Sequence, residues 1–421
     1  MSKVFTHAAA AVCSIVGAAS VAAQPPPSAA PLTLATAIEL TLARNPELQI
    51  YAPRLRAQRA EIETAALAPP LEIRAELEDA FGTGRASGLD SAEATFSLAR
   101  VIELGGKRTR RVKAAEAGRD LVEIERAAAE LDALAEVTRR FIHVAADQAQ
   151  LDLTATATAL AEETVSAARA RVAAARAPEV ELRRAEISLA RAAVDREHAE
   201  HELAASRRKL AALWGDSEAT FGAIETNLYD APPLDTFEAL VTRLDANPDF
   251  ARFASEARLR DAELRLAESQ RRANLAVSAG VRQLEQTDDQ AFVLGFAMPL
   301  GSARRAESAV AESAARRAQT DAELAAHRVR AEAQLFELYQ ELRHAITEAE
   351  ILRSEVLPAM QAALDATRDA YERGRYGYLE WADAQRELVE VRRALIDASA
   401  NAHLYRAEIE RLTGESLSPT D

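Results

Sequence analysis

The stretch LARVIELGGKRTRRVKAAEA, Leu98 to Ala117, decides how this chain is read. It opens as an apolar, strand-like run, breaks at Gly105-Gly106 and continues as a charged, alanine-rich helix. A nucleotide-binding loop also joins a strand to a helix through glycine and lysine, in the pattern G-x-x-x-x-G-K-[ST]. Here the first glycine position holds Val101, and Arg108 stands where Ser or Thr should follow Lys107. Two fixed positions fail, so the corner is not read as a phosphate site.

Working outward, the same order of segments occurs twice. AIELTLARNPEL (Ala37–Leu48) matches ALVTRLDANPDF (Ala239–Phe250), and Asn45-Pro46 aligns with Asn247-Pro248. LEIRAELE (Leu71–Glu78) matches LAVSAGVR (Leu275–Arg282), and FSLARVIELGGKR matches LGFAMPLGSARR. Near the end of each half, PEVELRRAE (Pro178–Glu186) matches GYLEWADAQ (Gly377–Gln385), and LAALWG matches EIERLTG. A duplicated unit of helix, two strands, very long helix, tip and helix follows. The expected parts are a signal segment over 1–23, a first repeat over 24–215, a linker over 216–233, a second repeat over 234–415 and a tail over 416–421. Within the first repeat, helices are expected over ~34–68, ~107–174 and ~178–213, and strands over ~71–80 and ~92–102. The second repeats this with strands over ~275–284 and ~290–300 and helices over ~302–373 and ~377–413.

The strands alternate. Leu71, Ile73, Ala75 and Leu77 are separated by charged residues; Ala92, Ala94, Phe96 and Leu98 alternate mostly with polar or small ones. Leu275, Val277, Ala279 and Val281 continue the pattern, as do Phe292, Leu294, Phe296 and Met298. A period of two over about ten residues, with one apolar face, suits an outer-membrane barrel strand. A soluble antiparallel sheet packed on a core is the competing reading, and the strands carry no Trp or Tyr girdle. The long helices would each reach roughly 100 Å at ~1.5 Å per residue. In the second, Leu324, Ala331, Leu335, Leu338, Leu342, Ala345, Ala349, Leu352 and Val356 form a seam at steps of three and four, with Arg328 expected to interrupt it.

The 421-residue chain has a formal net charge of −15, one Cys and only 5% aromatic residues. An acidic chain without a basic face is a poor nucleic-acid partner. Lys3, the run AAAAVCSIVGAASVAA and the small residues Val21-Ala22-Ala23 read as a secretory signal cleaved before Gln24, with a short membrane anchor as the alternative. Cys13 lies inside the apolar core rather than at the cleavage point, so lipidation is not expected. His143, His327, His344 and His403 lie in helical segments with no Ser or Cys motif near them, so no enzyme is expected and no cofactor.

Four strands cannot close a barrel, and bare sheet edges are not tolerated in lipid. Two copies would give eight strands and a filled interior, whereas three give twelve and room for a pore. The fold class expected is therefore mainly α with a transmembrane β-barrel portion: a trimer with four strands per protomer, a shared twelve-stranded barrel and coiled-coil helical hairpins extending about 100 Å from it.

With the duplicated Asn-Pro helices, the strand pairs and the motif YERGRYGYLEWADAQ from Tyr371, the sequence resembles the TolC-type outer-membrane efflux family over the whole mature chain. LARVIELGGKR further resembles the branch that serves heavy-metal exporters of the cobalt–zinc–cadmium and copper–silver type. Members of that branch commonly carry proline where this chain has Val101, while Met298-Pro299-Leu300 keeps it in the second half. The resemblance implies a homotrimeric channel-tunnel whose barrel crosses the outer membrane, whose long coiled-coil helical barrel crosses the periplasm, and whose tips meet a periplasmic adaptor joined to an RND-type inner-membrane pump. It makes Gly105, Gly106, Lys107 and Arg108 the hinge between barrel strand and tunnel helix. Lys107, Arg108, Arg110 and Arg111 then sit near the membrane boundary, either as solvated helix-start charges or against lipid head groups.

The resemblance also makes the two tips the place where the tunnel closes and the adaptor docks. Arg171, Pro178, Glu179 and Glu181 belong to the first tip, and Tyr371, Arg373, Gly374, Gly377, Leu379, Glu380 and Asp383 to the second. Glu380 and Asp383, three apart, would form an acidic ring in three copies, or else pair with Arg373, Arg375 or Arg386. His198 and His201 in REHAEHE are a weak candidate metal pair, with a solvated helix face as the alternative. The function expected is passive export of heavy-metal cations. Organic drugs or secreted polypeptide are the alternative cargo, and a soluble periplasmic coiled-coil scaffold is the rival class.

Overall fold

The computed structural model describes residues 30–414; the expected signal segment and the 416–421 tail lie outside the described residues. The chain opens with three short helices, α1 (Leu34–Arg44), α2 (Pro46–Gln49) and α3 (Tyr51–Ala65), where one helix was expected over ~34–68. The break is made by Asn45. Its side chain accepts from the N–H groups of Glu47 (2.8 Å) and Leu48 (3.2 Å), and Pro46 takes the first helical position, where no N–H is needed. Asn247 repeats this device for the second half, accepting from Asp249 at 2.8 Å. Its amide also donates to the carbonyls of Arg411 (2.6 Å) and Leu412 (2.9 Å), closing the last helix of the chain.

After α3 come β1 (Leu71–Glu78) and β2 (Glu93–Ile102), then α4 (Lys107–Ala173) and α5 (Glu179–Ala211). The second half supplies α6 (Phe237–Arg243), α7 (Pro248–Ser269), β3 (Leu275–Leu284), β4 (Asp289–Ala297), α8 (Ser302–Ile351), α9 (Leu357–Glu372) and α10 (Tyr378–Thr413). β4 stops short of the expected 300 because Pro299 cannot donate to a ladder. The helix expected over ~302–373 is interrupted by a π-helical turn, Leu352–Val356, just before Pro358. The proline lacks an N–H, and the wider turn takes up the missing bond.

The four strands form one antiparallel sheet in chain order, and the β2–β3 pairing joins the two halves. The register places Ile73, Leu98, Ala279 and Leu294 in one row and Ala75, Phe96, Val281 and Phe292 in the next. All the apolar sets seen in the sequence therefore share one face. That face is bare: Ile73 is 81% exposed, Phe292 91% and Phe296 75%. The opposite face carries Glu72, Arg74 and Glu76, with Arg282 donating to Glu78 (2.8 Å), Glu93 (2.5 Å) and Thr95 (3.0 Å). β1 and β4 are free edges in the protomer. An exposed apolar face opposite a charged one is the inverse of a water-soluble sheet and fits a lipid-facing wall.

The helices run away from one end of this sheet. α4 packs along α5, α7 and α10, and α8 packs along α7 and α10. The seam of α8 is buried at Ala331, Leu335, Leu342 and Ala345, as expected. Arg328 does not interrupt it: it is exposed and pairs with Asp245. His327 takes the seam position instead, with its ring 5.0 Å from Phe250 and 5.2 Å from Phe253. The residue one place earlier completes the three–four spacing from Leu324 to Ala331.

At the corner, Gly105 (φ +79°) and Gly106 (φ +69°) are both left-handed, as is Gly301 (φ +76°) at the start of α8. A Cβ on Gly105 would lie 2.8 Å from Cγ of Arg272, so glycine is required there for space as well as for backbone shape. The neighbouring cations are not simply solvated. Lys107 is buried and donates to Asn274 (2.6 Å). Arg110 donates to the carbonyl of Arg265 (2.6 Å) near the end of α7. Arg111 donates to the carbonyls of Ala65 (3.0 Å) and Leu67 (3.1 Å) after α3, and pairs with Glu103 (2.8 Å). Arg111 thus closes the C-terminus of α3, while Lys107 and Arg110 tie the start of α4 to α7 and the turn after it; Arg108 is exposed and makes no side-chain hydrogen bond or ion pair among the described residues.

Candidate functional site

The far ends of the helices form the two tips, and both are built alike. α4 closes with the N–H of Arg176 on the carbonyl of Arg171 (2.8 Å) and that of Ala175 on Val172 (2.9 Å). α9 closes with Arg375 on Ala370 (2.9 Å) and Gly374 on Tyr371 (2.9 Å). Each is a C-terminal turn that needs one left-handed residue. The second tip supplies Gly374 (φ +72°); the first supplies Ala175 (φ +54°), which pays a steric cost for its Cβ. Pro178 and Gly377 then cap α5 and α10 in matching positions.

The match breaks at the third residue of each following helix. Glu380 reaches back to the N–H of its cap, Gly377 (3.1 Å). Glu181 occupies the same place in α5, but Pro178 has no N–H to offer. Its Oε2 is consequently buried without a hydrogen-bond partner, beside the Tyr371 phenol, whose oxygen is also unpaired. Burial pushes the Tyr371 phenol above its ordinary range, Arg171 opposes the shift and Glu181 adds to it.

Tyr371 is the centre of the cluster. It is fully buried, its ring lies 4.8 Å from that of Trp381, and the Arg171 guanidinium stacks over it at 4.2 Å. Arg171 also donates to the Tyr371 carbonyl at 3.0 Å, so one side chain of the first hairpin grips the last turn of the second. Ser188 and Tyr378 share a hydrogen bond (3.0 Å), and Gln385 donates to Thr164 (2.9 Å). The structure thus brings Arg171, Glu181 and Tyr371 together. It does not bring in the other tip residues. Glu179 pairs with Arg183 (3.2 Å), Arg373 with Asp369 (3.2 Å) and Asp383 with Arg386 (2.7 Å), while Leu379 is exposed. Tyr378, Trp381 and Gln385 lie in the tip motif read from the sequence but were not named as site residues there, and neither was Ser188. Their signal was the spacing Tyr378, Trp381, Gln385, Leu388, a helical seam starting at the tip itself.

His198 and His201 are exposed and engage different carboxylates, Glu202 (3.3 Å) and Glu197 (3.7 Å). Among the described residues no group of three or more His, Cys, Asp or Glu side chains has the arrangement to hold a metal ion. No helix among them is long and apolar enough to cross a membrane.

A sheet with an apolar outer face feeding helices of this length has clear counterparts. The outer membrane efflux protein family matches residues 37–216. CzcC, the cobalt-zinc-cadmium resistance protein of Cupriavidus metallidurans, is 28% identical over 401 residues, covering 95% of this chain and 94% of that one. The first half of the chain is thus similar to the outer-membrane efflux proteins, and nearly its whole length is similar to CzcC. NccC, the nickel-cobalt-cadmium resistance protein of Alcaligenes xylosoxydans xylosoxydans, is 25% identical over 290 residues, 68% of this chain and 65% of that one. The solved structure of CusC superposes with a TM-score of 0.76 at 15% identity, over 90% of this chain and 91% of that one, which establishes the shared protomer fold. The family is one of transport channels in the outer membrane.

Proposed function

We propose that this chain is the outer-membrane channel of a tripartite system and passes heavy-metal cations from an inner-membrane pump to the exterior. The observation that carries the reading is the sheet: one face apolar and exposed, the other charged, both edges free. Such a sheet is stable only when copies of itself close it in lipid. Three copies give twelve strands around an aqueous lumen lined by the Glu72, Arg74, Glu76 and Arg282 face. The helices continue that lumen through the periplasm towards an adaptor and an RND-type pump. No step on this path needs catalysis, so the energy comes from the pump.

Metal cations are favoured as cargo because CzcC and NccC are named for resistance to cobalt, zinc, cadmium and nickel. The charged lumen face accords with an ionic cargo better than with an apolar drug. The tips serve as the closure, with Arg171 and Tyr371 as the latch between hairpins and the exposed Glu380 and Asp383 as carboxylates that three copies set around the axis. The test is a deletion strain. It should become sensitive to cobalt, zinc, cadmium or nickel salts and recover with the intact gene. Unchanged metal tolerance with new sensitivity to organic compounds would transfer the cargo to drugs. Recovery of the protein in the soluble periplasmic fraction would make it a scaffold.

A further inference from the structure

The described strands and their connections contain no Trp or Tyr, the residues that usually fix a barrel at the membrane surface. Something else must set the depth of the sheet in lipid. All four strand-to-helix junctions lie at one end of the sheet, since Leu71 pairs with Arg100, Ile102 with Leu275 and Ala276 with Ala297. The stretches 63–71, 98–111, 268–275 and 296–307 make up that end, and they hold nine Lys and Arg residues against four carboxylates, Glu63, Glu103, Glu268 and Glu307, of which Glu268 lies 3.9 Å from Arg110. The chain as a whole has 66 acidic and 51 basic residues, so this excess runs against the overall balance.

Four of these nine are taken up by the corner. Lys107, Arg110, Arg111 and Arg305 donate to Asn274 or to backbone carbonyls, and Glu103 is held by Arg111. The other five are Arg100, Arg108, Arg271, Arg272 and Arg304. All are exposed, and none makes a side-chain hydrogen bond or ion pair among the described residues. Arg100 is the most telling. Its register row is Leu71, Arg100, Val277, Phe296, which puts a cation on the apolar outer face at its periplasmic end. Exposed Leu67, Leu104, Met298 and Leu300 lie at the same level. Guanidinium groups among exposed apolar side chains suit the boundary where acyl chains meet phosphate.

We propose that these five arginines form a collar that binds the phosphates of anionic phospholipids in the inner leaflet of the outer membrane. The collar fixes the depth of the barrel in place of an aromatic girdle. A planar guanidinium donates two parallel hydrogen bonds to a phosphate, and the lipid tails cover Leu71, Phe296 and their neighbours. The inference rests on the barrel reading, because the apolar face must meet lipid.

The test uses the full chain, purified as its assembled form and reconstituted into vesicles of phosphatidylcholine containing one-fifth phosphatidylglycerol. Lipid retained after detergent extraction is counted by native mass spectrometry. Each cation near an anionic surface contributes a factor of roughly five. Wild type should retain phosphatidylglycerol over phosphatidylcholine by at least about ten-fold. R100Q/R108Q/R271Q/R272Q/R304Q should bring the ratio close to one, while the five matching Lys substitutions keep most of it. R184Q/R191Q, on α5 far from the sheet, should leave it unchanged. Where the quintuple Gln variant gives no assembled protein, R100Q and R304Q singly should each lower the ratio several-fold. An unchanged ratio in the Gln variants overturns the proposal. So does loss of wild-type selectivity in millimolar inorganic phosphate, which would mark a free-anion site. Normal channel conductance in the Gln variants alongside lost lipid selectivity separates failure of the collar from failure of the barrel.

Discussion

Replacing Arg171 by Ala removes two contacts at once from the hairpin tips. The charged hydrogen bond to the Tyr371 carbonyl (3.0 Å) is worth about 1.5–3 kcal/mol when well formed. The stacked guanidinium, 4.2 Å above the Tyr371 ring, adds about 0.5–2 kcal/mol. Arg171 is only half-buried, so water recovers part of both, and the sum belongs at the low end, about 2 kcal/mol. If the latch holds the tips shut, the ratio of closed to open channels should fall by a factor of roughly 30. The assay is single-channel recording in planar bilayers, reading the fraction of time spent open. R176A is the control, since it removes a charge from the same turn but no side-chain contact. R171K should lie between wild type and R171A, because an ammonium keeps charge but neither the stack nor the fork. Equal open fractions for R171A and R176A would refute the latch.

The left-handed tip residues make a reciprocal pair: A175G should stabilise the first tip by up to about 1 kcal/mol and G374A destabilise the second by about the same, read as protease resistance of the tips. At the corner, G105A should lower the yield of heat-stable assembled protein far more than G106A. Both have positive φ, but only a Cβ on Gly105 meets a neighbour, at 2.8 Å. Burial lowers the proton affinity of His403, which faces the Leu228 carbonyl, and of His327 between its two Phe rings. The unfolded chain therefore binds more protons than the folded one below about pH 6.5, so stability should be level above that value and fall as pH drops through it. Urea midpoints between pH 8 and 5 check the sign, and H403Q should flatten the slope. Zinc titration of H198A/H201A should match wild type in stoichiometry, because the two rings serve separate carboxylates.

Features set by local chemistry could be read from the sequence. Asn-Pro was legible as the mark that aligns the two halves, although the single helix expected over ~34–68 passed over the cap and the break that Asn45 and Pro46 make. Alternation in the strands predicted which side chains share the apolar face, and the observed register keeps them there, because a slip of one residue would turn every apolar side chain to the lumen. Features set by tertiary packing were not legible. Alanine is a poor choice for a left-handed turn, so nothing in the sequence drew attention to Ala175. The seam was misplaced by one residue at Arg328 because a histidine gives no apolar signal, although His327 packs as an aromatic ring. Pro358 follows an unbroken apolar spacing that runs to Val356, so the π-helical turn before it gave no sign in the sequence pattern. The unpaired Glu181 needed both halves side by side: only against Glu380 does the missing N–H of Pro178 explain it.

The central claim is that β1 of one copy pairs with β4 of the next. Single cysteines at Ile73 or Ala75 on β1, combined with single cysteines along Gln290–Leu294 on β4, test it by oxidation in native outer membranes. A narrow band of position pairs should link covalently and run as dimers and trimers, with nothing larger, while cysteines on the inner strands β2 and β3 stay unlinked. If no β1–β4 pair links at any offset, or if linked ladders extend without limit, identical copies do not close this sheet into a barrel.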